Sequence, residues 1–125
     1  MQRPMKIELV ERDGVNRLSI KIGHHEAMLD GTDVETFIEL LSFYRAAMKP
    51  KVAENLSPTH RYLIEVNPCW HVEGHPTQEG IVLLLRHSGY GWTGFFIPSN
   101  RLDTLHANFC RYLATPAHET NLLSN

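Results

Sequence analysis

The first part of the chain alternates polar and apolar residues, as a half-buried strand does. Residues 6–10 and 17–22 both show this period of two. Asp13 and Gly14 lie between them and favour a tight hairpin turn, whose two central positions need positive φ. The pattern predicts a β-hairpin with one apolar and one polar face. The predicted core face carries Ile7, Leu9, Leu18, Ile20 and Ile22, and the outer face carries Lys6, Glu8, Arg17, Ser19 and Lys21.

A short predicted strand at 26–29 is followed by a helical pattern. Apolar residues recur at three- and four-residue spacing over 33–48, which predicts an amphipathic helix, and Pro50 ends it. Thr32 and Glu35 have the spacing of a capping box at the start of this helix. The predicted apolar stripe consists of Val34, Phe37, Ile38, Leu41, Tyr44 and Met48.

The second half of the chain repeats this order of elements. Its strand at 81–86 is apolar without alternation, which indicates a central strand covered on both faces. Gly89 and Gly91 mark a turn before the next strand. The helix carries an apolar stripe that includes Phe109. In chain order the predicted elements are strands at 61–66, 69–73, 81–86 and 92–97 and a helix over 101–114.

The two helices and the strands before them align at a constant offset. Leu29 then matches Ile97, and Tyr44 matches an identical residue, Tyr112. We therefore predict an α+β fold: an antiparallel β-sheet with two helices packed on one face, built as a strand-strand-helix pseudo-repeat. Residues 1–114 are predicted to form a single domain, and residues 115–125 a loosely ordered tail.

Composition narrows the functional classes. A chain of 125 residues with a net charge of −2 is not a generally basic nucleic-acid binder, although a local basic face is compatible with that charge. Cys69 and Cys110 do not make a disulfide framework, and no secretory signal is visible, so we expect reduced thiols in the cytoplasm. The longest apolar run is too short to span a bilayer, so no membrane partner is expected.

Strand parity places cations and aromatic side chains on the sheet face opposite the predicted helices. Such an open face predicts a non-enzymatic binding module that takes a protein partner or self-associates as a homo-oligomer. The alternative is single-stranded nucleic acid, because aromatic rings stack bases while cations hold phosphates. The strand-strand-helix layout is similar to that of the Pur-alpha and Whirly folds, which bind single strands. The predicted contacts are Arg17, Lys21, Arg61, Arg86, Trp92 and Phe96.

A second alternative is metal binding. In an extended segment, His71, Glu73 and His75 point to one face and offer ligands to zinc or iron. We expect neither this metal site nor any cofactor to be used. His106 and Cys110 are one helical turn apart, but nothing in the sequence supplies the cleft that a Cys–His catalytic pair needs.

Overall fold

The structure is a computed structural model, and it describes residues 4–114. The chain divides into two compact units, Met1–Leu63 and Ile64–Asn125. Each unit contains a three-stranded antiparallel sheet followed by one helix, which confirms the α+β class. The single domain over 1–114 stays a prediction, and the predicted tail at 115–125 lies outside the described residues.

The first unit begins with the predicted hairpin. Strands β1 (Met5–Arg12) and β2 (Val15–Ile22) pair in antiparallel register, and β3 (His25–Leu29) pairs with the other edge of β2. Asp13 and Gly14 have φ values of 53° and 77°, so both turn positions are left-handed, as the hairpin turn requires. The hairpin prediction is confirmed.

The register confirms which residues share a face of this sheet, but the predicted core face is not buried. Ile7 and Leu9 are more than half exposed, whereas Ser19 on the predicted outer face is the one buried residue among residues 4–114. Ile7 pairs with Ile20, and Ile20 pairs with Ala27, so the apolar residues lie on one face. On the other face Lys21 lies between Lys6 and Glu26. We call this second face the charged face; it consists of Lys6, Glu8, Val10, Arg17, Ser19, Lys21, Glu26 and Met28.

The predicted cap of the first helix is wrong by two residues. Helix α1 spans Gly31–Ala47, and its N-cap is Asp30 rather than Thr32. The Asp33 amide donates to Asp30 Oδ1 at 2.8 Å, and the Asp30 amide donates to Asp33 Oδ2 at 3.2 Å. The same reciprocal pattern that Thr32 and Glu35 predicted is therefore made by two aspartates, which accept more strongly because they are charged.

The second unit contains β4 (Trp70–Gly74), β5 (Gly80–His87), β6 (Gly91–Pro98) and α2 (Ser99–Ala114). Strand β5 lies in the centre of this sheet, as its unbroken apolar run predicted. Helix α2 begins two residues earlier than expected, directly after Pro98.

The segment at 61–66 forms no strand, and the described strands make two sheets rather than one. Alternation of polar and apolar residues predicts which side chains share a face, but it does not predict that a partner strand exists. The side chains of this segment instead make hydrogen bonds to a loop and a turn. Tyr62 accepts a hydrogen bond from the Ser57 amide at 2.8 Å, and Glu65 binds Ser88. Asn67 then turns the chain with a φ of 51°. Arg61 therefore lies in a connector and not on a strand.

The apolar stripes of the helices are less buried than the pattern predicted. Each helix contacts the second and third strands of its own unit. Phe37 nevertheless stays 41% exposed and Phe109 58% exposed, and no large hydrophobic residue in the described part of the chain is buried. Both units therefore carry apolar surface that a partner surface would shield from water.

Neither helix in residues 4–114 has the length and apolar character that a membrane crossing needs.

Candidate functional site

The register of the second sheet brings three of the predicted contact residues together. Arg86 and Trp92 are direct partners across β5 and β6, and Phe96 lies on the same side of β6, opposite Val82. Trp92 is 54% exposed and Phe96 is 38% exposed. We call this side of the sheet the Trp92 face; it consists of His71, Glu73, Val82, Leu84, Arg86, Trp92, Gly94 and Phe96.

The second tryptophan marks the opposite face of the same sheet. Trp70 pairs with Leu85, which in turn pairs with Thr93, so its side chain points away from the Trp92 face. Trp70 is also exposed. The two tryptophans of the chain therefore report separately on the two faces, which gives any binding experiment an internal control.

The free edge of β6 coincides with the exposed aromatic side chains. The Ser99 amide donates to the Glu79 carbonyl at 3.1 Å, which continues the β5–β6 ladder through odd-numbered residues. Because hydrogen-bonded and non-hydrogen-bonded pairs alternate in an antiparallel ladder, Trp92, Gly94 and Phe96 direct their backbone groups away from β5. A ligand on this edge can use backbone and aromatic side chains together.

Two residues that sequence reasoning missed hold Phe96 in place. The His75 ring packs edge-on against Phe96, with 4.9 Å between ring centroids. A Cβ atom on Gly80 would lie 2.8 Å from the Phe96 ring and 2.5 Å from the Ile97 carbonyl oxygen, and Gly80 has a φ of +154°. Only glycine fits there. The combination of an isolated glycine at a strand start with an aromatic opposite is the signal that sequence reading passed over.

A carboxylate anchors the chain beside Arg86. Glu65 accepts from the Ser88 amide at 3.0 Å and from the Ser88 hydroxyl at 2.8 Å. These two hydrogen bonds lower the pKa of Glu65 below its ordinary range, and His87 and Arg86 add a smaller electrostatic effect. Glu65 thus ties the connector to the β5–β6 turn rather than lying on the open sheet face.

Arg17 and Lys21 belong to the first unit, on the charged face of β2. Lys21 pairs with Glu26, and Glu8 lies opposite Ser19 between the two cations. Ser19 is buried and donates its hydroxyl to Glu26 at 3.1 Å. This face alternates in sign, so it is not a continuous basic patch.

Arg61 is exposed in the connector between α1 and β4. The rings of its neighbours His60 and Tyr62 pack edge-on, with 4.6 Å between ring centroids. Residues 52–62 curl around a shallow depression of about 520 Å³, lined by Leu56 and Tyr62 among others. The depression lies beside Arg61 but has no convergent charged groups.

The predicted metal ligands are only partly brought together. His71 Nε2 and Glu73 Oε2 are 3.3 Å apart. His75 Nδ1 instead accepts hydrogen bonds from the Thr77 and Gln78 amides at 3.1 and 3.0 Å. The Nδ1 atom of His75 is therefore already occupied by two amide donors. Within residues 4–114, no three His, Cys, Asp or Glu residues are close enough to hold an ion.

The His106–Cys110 pair forms a contact without a cleft. Cys110 Sγ lies 3.6 Å from His106 Nε2 across one turn of α2, and both residues are exposed. Cys69 is likewise a free, exposed thiol. A nucleophile needs a bound substrate and an electrophile-stabilising group beside it. The surroundings of this pair supply neither.

No known protein family matches the sequence, and no curated protein or solved structure is significantly similar to it. Its function is therefore inferred from the residues and their arrangement.

Proposed function

We propose that the protein is a non-enzymatic interaction module that binds a partner protein, or a second copy of itself, through the Trp92 face. The preferred partner is an apolar segment that bears a carboxylate. Trp92 and Phe96 take the apolar side chains, and Arg86 takes the carboxylate. The proposed location is the cytoplasm, where the free thiols of Cys69 and Cys110 stay reduced.

The observation that carries this proposal is the cross-strand pair of Arg86 and Trp92. Tryptophan and arginine are the residue types that contribute most to binding energy at protein interfaces. Here they occupy one rung of the sheet, with Phe96 exposed on the same side. Arg17, Lys21 and Arg61 are further proposed contacts, whose charges steer an acidic partner rather than hold it.

The proposed architecture behind this face is a pseudo-repeat whose helices cover the opposite side of the strands. In support, Leu29 lies two residues before α1 and pairs with Leu18 of the central strand. Ile97 likewise lies two residues before α2 and pairs with Ile81 of the central strand. The first strand of each unit also carries a basic, an apolar and an acidic residue in succession, and the basic and acidic side chains are in contact in each case. These are Lys6-Ile7-Glu8, with 2.6 Å between Nζ and Oε1, and His71-Val72-Glu73, with 3.3 Å between Nε2 and Oε2.

A random peptide library displayed on phage tests the proposal. We expect the protein to enrich peptides with apolar residues next to Asp or Glu. Trp92→Ala and Arg86→Ala should each lower the affinity for these peptides at least tenfold, since a hot-spot side chain contributes more than about 1.4 kcal/mol to binding. The matched control is Trp70→Ala, which removes an equally large side chain from the opposite face. Peptides that bind Trp92→Ala as well as wild type would contradict the proposal.

Single-stranded nucleic acid remains the second candidate, because one observation favours it. The Arg86 guanidinium and the Trp92 indole share a rung, so a base can stack on the indole while the guanidinium holds the adjacent phosphate.

A further inference from the structure

Among the strands of residues 4–114, β1 has one edge that pairs with no other strand. The sheet order is β1-β2-β3, so β1 pairs on one side only. The Gly23 amide donates to the Pro4 carbonyl at 3.3 Å, which shows that even-numbered residues of β1 bond to β2. The odd-numbered residues therefore direct their N–H and C=O groups outward, away from β2. These residues are Met5, Ile7, Leu9 and Glu11.

The same residues expose apolar side chains. Met5, Ile7 and Leu9 are each more than half exposed. Within residues 4–114, no backbone or side-chain hydrogen bond reaches their outward backbone groups. Edge strands are normally shielded by a proline, a bulge or inward-pointing charges. The register of β1 against β2 is continuous over eight residues, so no bulge interrupts this edge.

Residues 5–9 of β1 are complementary to themselves in one antiparallel register. A two-fold axis through Ile7 sets Ile7 against Ile7 of a second copy, Met5 against Leu9, and Lys6 against Glu8. Both charges of this segment then meet an opposite charge, in non-hydrogen-bonded pairs where side chains approach most closely. Pro4, which has no N–H, falls opposite Val10 at a position that needs no donor.

Neighbouring registers are less favourable. An axis through Glu8 sets Glu8 against Glu8, and an axis through Leu9 sets Lys6 against Arg12. Like charges directly opposite each other destabilise a strand pair. Strand β4 carries a similar triplet around Val72, but it has only five residues, and a histidine stands there in place of the lysine. The charge pattern therefore selects β1, and it selects a second copy of this chain as the occupant.

We propose that the protein forms a two-fold dimer by antiparallel pairing of β1 with β1 of a second copy, centred on Ile7, which joins two three-stranded sheets into one six-stranded sheet. Lys6 and Glu8, 2.6 Å apart within one chain, then form a four-membered charge cluster across the axis. The proposal goes beyond the proposed function, because it uses an edge in the first unit and does not depend on the Trp92 face.

Charge reversal tests the pairing. We expect the full chain, of 14.3 kDa, to show twice that mass by light scattering after size exclusion. Lys6→Glu and Glu8→Lys should each halve the mass, because each sets like charges against each other. An equimolar mixture of the two variants should restore the dimer, since acidic positions of one chain then face basic positions of the other. Native mass spectrometry identifies the mixed dimer, and circular dichroism verifies that each variant is folded. Glu39→Lys, the same charge reversal at an exposed position of α1, is the control and should leave the dimer intact.

Hydrogen exchange of the wild-type chain checks the register without any variant. The outward amides of Met5, Ile7 and Leu9 should exchange slowly in the dimer, along with the inner amides of Lys6 and Glu8. Fast exchange at Ile7, a monomeric wild type, or a mixture that stays monomeric would overturn the proposal. A dimer that survives Lys6→Glu but is lost in Trp92→Ala would also overturn it, and would instead support self-association through the Trp92 face.

Discussion

Glu65 binds Ser88 with both of its carboxylate oxygens. Oε1 accepts from the Ser88 amide and Oε2 from the Ser88 hydroxyl. The connection joins residues 23 positions apart in sequence, next to the rung that carries Arg86 and Trp92. The position of the turn beside the candidate site therefore depends on one ionised carboxylate.

We expect acid to release this contact. The pKa of Glu65 is lowered by its hydrogen bonds to Ser88, so the folded chain favours the charged form. The stabilisation is present above the pH at which an unfolded glutamate titrates, about 4.3, and is lost as the pH falls through the lower folded pKa. Ser88→Ala should raise the pKa of Glu65 toward its ordinary value, which a carbon-detected NMR titration measures. The carboxyl of Glu54, which no hydrogen bond from Ser88 reaches, is the reference. An unchanged pKa of Glu65 in Ser88→Ala would show that the serine is not its main partner.

The cap of α1 gives a second expectation. Asp30→Ala removes the acceptor of the Asp33 amide and should lower the free energy of unfolding by about 1 kcal/mol, the usual contribution of an N-cap side chain. Thr32→Ala changes a residue inside the first turn and should have a smaller effect. Chemical denaturation of both variants measures the difference. A larger loss of unfolding free energy in Thr32→Ala than in Asp30→Ala would instead support the capping box of Thr32 and Glu35.

The secondary structure was largely readable from the sequence because each strand and helix carries its own period. The alternation around Asp13-Gly14 and the unbroken run in β5 both predicted what the structure contains. The segment at 61–66 was misread because alternation says nothing of whether a partner strand exists. The cap was misread because Asp30-x-x-Asp33 and Thr32-x-x-Glu35 overlap, and only geometry selects between them.

The candidate site was likewise only partly predictable from the sequence. Parity placed Arg86, Trp92 and Phe96 on one face because the observed register pairs Arg86 with Trp92. A slip by one residue would have moved both aromatic side chains to the other face. Parity did not reveal Gly80 or the His75 acceptor, because both depend on loop conformation. His87 repeats the His75 arrangement, with Nδ1 accepting from the Gly89 and Tyr90 amides. Side-chain contacts of this kind follow no periodic pattern in the sequence, so the sequence does not predict them.

Gly80 provides the third expectation. Gly80→Ala places a methyl group against the Ile97 carbonyl and the Phe96 ring at a left-handed φ, so it should destabilise the protein by about 1–3 kcal/mol. Gly74→Ala is the matched control, because a Cβ atom at Gly74 would have no neighbouring atom within 4 Å. The φ of Gly74 also lies outside the positive region that residues with a side chain rarely adopt. The control should stay within about 0.5 kcal/mol of wild type. Thermal or urea unfolding followed by circular dichroism measures both. Equal stability of the two variants would show that the β5–β6 strand start tolerates a side chain.

The last expectation decides between a protein and a single-stranded nucleic acid on the Trp92 face. In Trp70→Phe, Trp92 is the only remaining tryptophan, so its fluorescence reports on this face alone. A mixed-sequence oligonucleotide that binds there should quench it at low salt, and affinity should fall steeply as salt is added, because each neutralised phosphate releases a counterion. Arg86→Ala should flatten that salt dependence. Trp92→Ala, followed by anisotropy of a labelled oligonucleotide, should weaken binding by about 1–3 kcal/mol without changing the slope.

The Trp92→Phe variant, which keeps Trp70 as the reporter, is the matched control for this titration, since the Trp70 side of the sheet should show no quenching. On the Trp92 face itself, Arg86 is the one arginine or lysine among the residues that define the face, so phosphates find no continuous basic path there. We therefore expect no saturable oligonucleotide binding at micromolar protein and no quenching of Trp92. Saturable quenching of Trp92 fluorescence that disappears with salt would contradict this expectation and would show that the Trp92 face binds nucleic acid.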